Sequence, residues 1–313
     1  MGCGMSFWDK VYTGDCRKVL EGIPDESIHA VITDPPYYLD KLDSDWNPTA
    51  VSDTRNMKVV TSLPSGMRFD KEQGKRFREW YTEVSTHLLR VLHPGGFFFS
   101  FSSPRLYHNM AIAMEDAGFL IKDQFLWIYV QNQPKAMSLN HVIDRLDWSK
   151  ENKESLKVEL NGWKTPQIKS CHEPIALGQK PLRGSFLDNY RETNVGLVDT
   201  KVTIGDNMFP SNVMTTDEID DVMNRFFLVN KPTKKEKGEF NTHKTVKPVT
   251  LCKYLISLTT RTGQIVLDPF LGSGSTAVAA KMLGRHYVGI DLNEEYVEIA
   301  NRRLKDVDLA SNF

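Results

Sequence analysis

Short apolar runs alternate along the chain with stretches in which apolar residues recur every three or four positions, the pattern of strands interleaved with helices. From Val11 the sequence reads as the end of a strand, a turn at Gly14-Asp15, a helix from about 16 to 22, and a strand over 29–33 that runs into Asp34-Pro35-Pro36-Tyr37. That strand is short and apolar, as in a parallel sheet covered by helices on both faces. Residues 38–74 lack periodicity and are rich in Asp, Ser, Pro and Gly, so they read as a long loop; loops of that length are usually functional. Phe77, Trp80, Tyr81, Val84, Leu88 and Leu92 then form one helical stripe that ends at His93-Pro94-Gly95-Gly96. A strand over 97–101, a helix over about 104–117 stopped by Gly118, and a strand-rich stretch over 119–130 complete another β-α-β unit.

Between residues 131 and 240 the pattern loosens, with one strand expected over 173–178, and this stretch reads as an inserted recognition region. Order returns with a helix over about 248–259 and a turn at Gly263. A strand over 264–267 then runs into Asp268-Pro269-Phe270-Leu271-Gly272-Ser273-Gly274-Ser275-Thr276, followed by a helix to Leu283 and a strand over 286–291. The expected organisation is a first half over 1–130, a middle region over 131–240 and a closing half over 241–313 that completes the same sheet.

Composition narrows the class. At 313 residues, with 40% hydrophobic, 10% aromatic and 25% charged residues, the chain is an ordinary globular one, neither fibrous nor wholly disordered. Its longest apolar runs are strand-sized, well short of the roughly 18 to 20 residues of a bilayer helix. The start, Met1-Gly2-Cys3-Gly4-Met5-Ser6, matches a short acylation template, yet no polybasic segment follows, and no membrane attachment is expected. The widely spaced cysteines Cys3, Cys16, Cys171 and Cys252 suit reduced thiols in a cytoplasm rather than a disulfide frame or a metal site. A net charge of -1 offers no global attraction for a polyanion, so any nucleic-acid contact must be local.

The glycine loop carries the first chemistry. Gly272-x-Gly274-x-x-Ala277 after a strand and before a helix, with Asp291 at the end of the next strand, is the arrangement that seats an adenosine: glycines admit close approach and the carboxylate takes ribose hydroxyls. Asp268 at the strand end opposes a pyrophosphate, which a free helix N-terminus would favour, and suits a cationic ligand. S-adenosylmethionine meets both conditions. No Gly-Lys-Ser/Thr follows the glycines, which excludes a Walker loop.

Asp34-Pro35-Pro36-Tyr37 follows another strand, and parallel sheets bring such loops to one carboxyl edge. The exocyclic amine of a base is a poor nucleophile because its lone pair is delocalised, so its N–H bonds need acceptors. Asp34 supplies a carboxylate, Pro35 a carbonyl, Pro36 stiffens the turn, and Tyr37 offers a face for a base extruded from a duplex. Direct transfer needs no nucleophilic cysteine, and no Pro-Cys pair is present.

These motifs resemble the S-adenosylmethionine-dependent DNA amino-methyltransferases, specifically the circularly permuted beta class, in which Asp-Pro-Pro-Tyr comes first and the cofactor loop last. The resemblance covers about residues 10–130 and 240–305. It implies an α/β Rossmann-like fold, a seven-stranded mostly parallel sheet with an inserted target-recognition region, in which the segment 173–178 resembles the antiparallel strand that closes the sheet. It implies Asp34, Pro35, Pro36 and Tyr37 as the catalytic motif. It places the cofactor, with S-adenosylhomocysteine as product and no metal, on Asp268, Pro269, Phe270, Gly272, Ser273, Gly274, Ser275, Thr276 and Leu292, with Asp291 as the ribose carboxylate. Asp15 and Cys16 resemble the residues beside the adenine, and Thr245, Lys247 and Pro248 those at the methionine end, where Lys247 would meet a carboxylate. Asp rather than Ser or Asn at the first motif position resembles the N6-adenine branch.

Double-stranded DNA is the implied partner. From Lys231 to Lys247 six lysines face two glutamates, a local +4 in 17 residues, enough for several phosphate contacts. Lys234, Lys235 and Lys237, with Tyr38 and Trp46 of the loop, are the DNA-contact candidates. A bacterial, archaeal or phage-encoded cytoplasmic enzyme is expected, with a restriction endonuclease partner and a homodimer both left open. An N4-cytosine or RNA methyltransferase shares the same pocket logic; a silent DNA-binding subunit and an NAD oxidoreductase are the readings from other classes.

Overall fold

The computed structural model describes residues 6–37, 71–130, 136–166, 168–229 and 246–307. Among them the first half contains β1 (Lys10–Thr13), α1 (Cys16–Glu21), β2 (Ile28–Thr33), α2 (Lys71–Val91), β3 (Leu92–Phe101), α3 (Tyr107–Asp116) and β4 (Leu120–Ile128). The middle contains α4 (Asn140–Ile143), α5 (Lys150–Glu159), β5 (His172–Gln179), α6 (Phe186–Thr193), β6 (Val213–Thr215) and α7 (Asp221–Phe227). The last part contains α8 (Val249–Thr259), β7 (Ile265–Asp268), α9 (Ser275–Met282), β8 (His286–Asp291) and α10 (Glu294–Lys305).

All eight strands form one sheet in the order β1-β8-β7-β2-β3-β5-β4-β6, so both ends of the sequence share it. β1 pairs parallel with β8, β8 with β7, β7 with β2 and β2 with β3. β5 runs antiparallel to both of its neighbours. From β7 the chain order proceeds outward through β8 to β1 on one side, and from β2 to β3 on the other. The switch point therefore falls between β7 and β2, where open α/β sheets open a crevice at the carboxyl ends of the strands.

Alternating strand residues feed two cores. Val31, Phe98, Leu267 and Val288 pack under α1, α2 and α3, with Leu20, Phe77, Tyr81, Leu88 and Met110 fully enclosed. Ala30, Ile32, Phe99 and Val266 pack on the other face against Leu251, Leu255, Ala279 and Ala300 from α8, α9 and α10. A three-layer arrangement follows, and it explains why the central strands β2, β3 and β7 are buried at nearly every position rather than at alternate ones.

The structure departs from the expected pattern at several points. The sheet has eight strands among the described residues, not seven, because Val213–Thr215 pairs in parallel with β4 and buries Met214 completely. The antiparallel strand expected over 173–178 is present as β5, and it lies inside the sheet, between β3 and β4. The middle region is less irregular than its sequence suggests: α6 carries a Ser185–Asp188 capping box, and α5 is a helix with no buried residue, which leaves no apolar stripe to read. The helix α2 also begins at Lys71, inside the stretch expected to be loop.

Candidate active site

The carboxyl ends of β1, β8, β7 and β2 surround a cleft of about 490 Å³, within the size range of small-molecule sites. Asp15, Cys16, Asp34, Pro35, Pro36, Tyr37, Lys247, Asp268, Pro269, Phe270, Gly272, Ser273, Ser275, Thr276, Asp291 and Leu292 line it, so motifs from both ends of the sequence meet here. Gly274 and Pro248 are not among the lining residues; they are the N-cap residues of α9 and α8. Thr245, Tyr38, Trp46, Lys234, Lys235 and Lys237 lie outside the described residues.

At the switch point Asp268 is 4% exposed, accepts the Thr33 hydroxyl at 2.6 Å and receives the Phe270 amide at 3.0 Å. Burial pushes its carboxyl up to about 7, against the pull of these hydrogen bonds. Gly272 and Gly274 adopt φ of 54° and 92°, the region that glycine enters freely. A Cβ on Gly274 would meet the Ala300 Cβ at 2.8 Å, so α10 packs directly on the loop. Arg303 of the same helix is buried and donates to the Ser273 carbonyl at 2.7 Å, bracing the loop from behind.

Asp291 is oriented by the main chain. Its two oxygens accept the Gly272 amide at 2.7 Å and the Asn293 amide at 2.9 Å, while burial raises its carboxyl above the ordinary range. Asp15 caps α1 and is held by Arg17, whose Nη2 lies 2.7 Å from Oδ2; that hydrogen bond keeps its carboxyl low. Cys16 is buried and its thiol is pushed up to about 12 by burial, so it is a packing group rather than a thiolate.

Across the cleft, the Tyr37 hydroxyl donates to Asp34 Oδ1 at 2.5 Å. Asp34 Oδ2 lies 2.8 Å from Lys247 Nζ, which also reaches Glu173 Oε2 at 2.6 Å. Lys247 therefore meets two carboxylates of the chain itself. Burial alone would lower its pKa, but Asp34 and Glu173 outweigh that and raise it, which favours the ammonium form. Burial raises the Glu173 carboxyl. The rings of Phe101 and Trp127 lie 5.0 and 5.4 Å from Nζ, close enough for cation–π attraction.

Glu173, Phe101, Arg17 and Trp80 are lining residues that motif reading missed. Glu173 carried one signal, a lone charge heading an otherwise apolar strand next to Pro174. Among the described residues no group of three or more His, Cys, Asp or Glu is set to hold a metal ion, and no helix is long and apolar enough to cross a membrane.

Comparison with known proteins agrees with this geometry. A family model described as DNA methylase, of the N6 and N4 methyltransferases, matches residues 28–302. The Type II methyltransferase M.HindIII of Haemophilus influenzae is 31% identical over 315 residues, covering 95% of each chain. M.BglII of Bacillus subtilis, also a Type II methyltransferase, is 25% identical over 97% of this chain and 71% of its own. Among solved structures, the cytosine-N4-specific PvuII DNA methyltransferase superposes with a TM-score of 0.58 at 17% identity, covering 96% of this chain and 87% of the other. The M1.HpyAVI–SAM complex gives 0.52 at 20% identity, covering 94% and 98%. With the two motifs joined in one cleft and a family match over most of its length, the chain belongs to the DNA methylase family, the S-adenosylmethionine-dependent amino-methyltransferases of DNA.

Proposed function

We propose that this chain methylates the N6 amine of adenine at a specific sequence in double-stranded DNA, using S-adenosylmethionine and releasing S-adenosylhomocysteine. The observation that carries the reading is that Asp34 lines the same cleft as Gly272, Asp268 and Asp291. The residues fit this donor. Three carboxylates, Asp15, Asp268 and Asp291, surround the glycine loop, and the cations that line the cleft, Arg17 and Lys247, are each paired with carboxylates. Such a lining suits an adenosine that is cationic and lacks phosphates. When bound, S-adenosylmethionine supplies an electrophilic methyl group on a sulfonium.

The chain's own residues do the remaining work. Asp34 accepts an N–H of the target amine, and as the nitrogen gains its methyl group and sheds a proton, the same carboxylate is the adjacent acceptor. Tyr37 provides a face against which an extruded base stacks, worth about 1–3 kcal/mol in single-strand binders. Trp80 and Phe270, whose ring centroids lie 5.5 Å apart, cover the loop side of the cleft and limit water there. Aspartate at the head of the motif, where the cytosine branch tends to carry Ser or Asn, supports adenine as the target.

Incubation of the purified protein with S-adenosylmethionine and unmodified mixed-sequence duplex DNA, followed by nucleoside digestion and mass spectrometry, tests the reading. N6-methyladenine is expected. N4-methylcytosine would overturn the choice of base, and the absence of any methylated base, with the cofactor shown to bind, would overturn the reaction on duplex DNA.

A further inference from the structure

The ammonium of Lys247 has three N–H donors and no acceptor. Asp34 and Glu173 take two of them, and among the described residues the third has no hydrogen-bond partner, while the side chain lines the cleft. Resting on the reading that Asp34 binds the target amine, we propose that Lys247, anchored by Glu173, donates this hydrogen to the ring nitrogen beside that amine, so that Asp34 and Lys247 together read the amidine edge of the extruded base.

The chemistry of the bases gives the pair its selectivity. Adenine presents the N6 donor beside the N1 acceptor, and cytosine the N4 donor beside the N3 acceptor. Guanine and thymine present the reverse, a carbonyl beside an N–H. A carboxylate acceptor 2.8 Å from an ammonium donor matches the first pattern on both atoms. Against the second it places carboxylate against carbonyl and ammonium against N–H. A site built this way rejects the wrong edge strongly, because both of its own polar groups are left unpaired.

Glu173 is the positioning residue in this arrangement. It stands in register with Trp127 on the neighbouring strand, so the anchor and one ring beside the ammonium are set by the same β4–β5 pairing. By sharing the ammonium, Glu173 leaves Asp34 acceptor capacity for the amine; a simple Lys247–Asp34 pair would bind the acceptor more completely. Lysine side chains lose considerable freedom when ordered, and the two carboxylates with the Phe101 and Trp127 rings hold this one before the base enters. Lys247 thus acts on the base edge, where the sequence alone suggested the methionine end of the cofactor.

A target base lacking the ring nitrogen tests the proposal. The methylated sequence is first located in the duplex assay; oligonucleotides are then made with the target adenine or with 1-deazaadenine, or with 3-deazacytosine if cytosine is the target. kcat/KM is measured for the native protein and for Lys247→Met, and each protein's loss on the analogue is taken. Dividing one loss by the other cancels the altered basicity of the analogue's amine. The native loss should exceed the variant loss by roughly 10- to 100-fold, the scale of one hydrogen bond to a charged group. Equal losses would overturn the proposal while leaving the methylation of natural DNA intact. Failure of the native protein to methylate natural DNA would instead overturn the functional reading beneath it. Glu173→Gln, which keeps the volume and the lysine, should show an intermediate ratio and carries the same test should Lys247→Met not fold; a ratio equal to the native one would remove Glu173 from its role.

Discussion

Thr33 donates its hydroxyl hydrogen to Asp268 across 2.6 Å and so ties the ends of β2 and β7 together at the switch point of the sheet. The bond favours an ionised Asp268, yet burial dominates and holds the carboxyl near 7. Below about pH 4 the group is protonated in the folded and unfolded chain alike, and its contribution to stability is fully present. As pH rises the unfolded chain ionises first, so folded stability is lost progressively until about pH 7. Asp268→Asn keeps an oxygen for Thr33 and removes the charge. Its stability relative to the native protein should therefore rise between pH 5 and pH 8, by roughly 2–4 kcal/mol in urea unfolding. The same stability difference at both pH values would contradict this account. A cationic ligand favours the ionised form, so native cofactor affinity should rise from pH 6 to 8, whereas the variant should bind weakly across that range.

The loop that follows is shaped by a contact with α10. Gly274 combines a φ of 92° with a gap that a Cβ would close to 2.8 Å from Ala300. Gly274→Ala should therefore destabilise the fold by about 1–3 kcal/mol, from backbone strain and overpacking together. Adding Ala300→Gly should return the steric part and leave the strain. Thermal melts of the single and double variants separate the two, and no recovery at all in the double variant would place the whole cost in the backbone.

The ends of the chain announce themselves in sequence because their elements are long, apolar and joined by glycine and proline signals. The periodic stripe from Phe77 to Leu88 became α2, while Leu92 and the expected turn at 93–96 fell into β3, and the residues around Gly272 became the strand-loop-helix expected of them. What escaped has physical causes. β6 is three residues long, too short for alternation to register, and it is held in the sheet by pairing with Leu126–Ile128. Motif positions were legible as types, but their partners were not, because pairing across a sheet depends on register. Lys247 was singled out, while Glu173, 74 positions away and meeting it only through β5, was not. Likewise nothing near Gly274 in sequence points to Ala300 or Arg303.

Asp291 is fixed by two main-chain amides, and this gives asparagine a distinct failure there. An amide side chain retains one acceptor oxygen and turns an NH2 toward either Gly272 or Asn293, each of which needs an acceptor. Asp291→Asn should weaken cofactor binding nearly as much as Asp291→Ala, by about 1–3 kcal/mol, the range for lost hydrogen bonds to a charged group. Calorimetry on both variants checks it. Native affinity in Asp291→Asn would show that the charge and the Gly272 contact are dispensable.

Asp34 shares the cleft with this loop but not its hydrogen bonds. Its carboxylate is held by Tyr37 and Lys247, with no hydrogen bond to the residues from Asp268 to Thr276. Asp34→Asn keeps the size and one acceptor oxygen but removes the charge that faces Lys247 and, with it, the proton acceptor proposed for the target amine. The loss should therefore fall on kcat, by about 10²–10⁴, the usual worth of a positioned general base. Cofactor affinity should change little, and the remaining activity should not recover at high pH, since asparagine has no proton to lose in that range. Titration of the variant with cofactor, beside single-turnover methylation across pH, separates these effects. A parallel collapse of cofactor binding would move Asp34 from the target side of the cleft to the cofactor side.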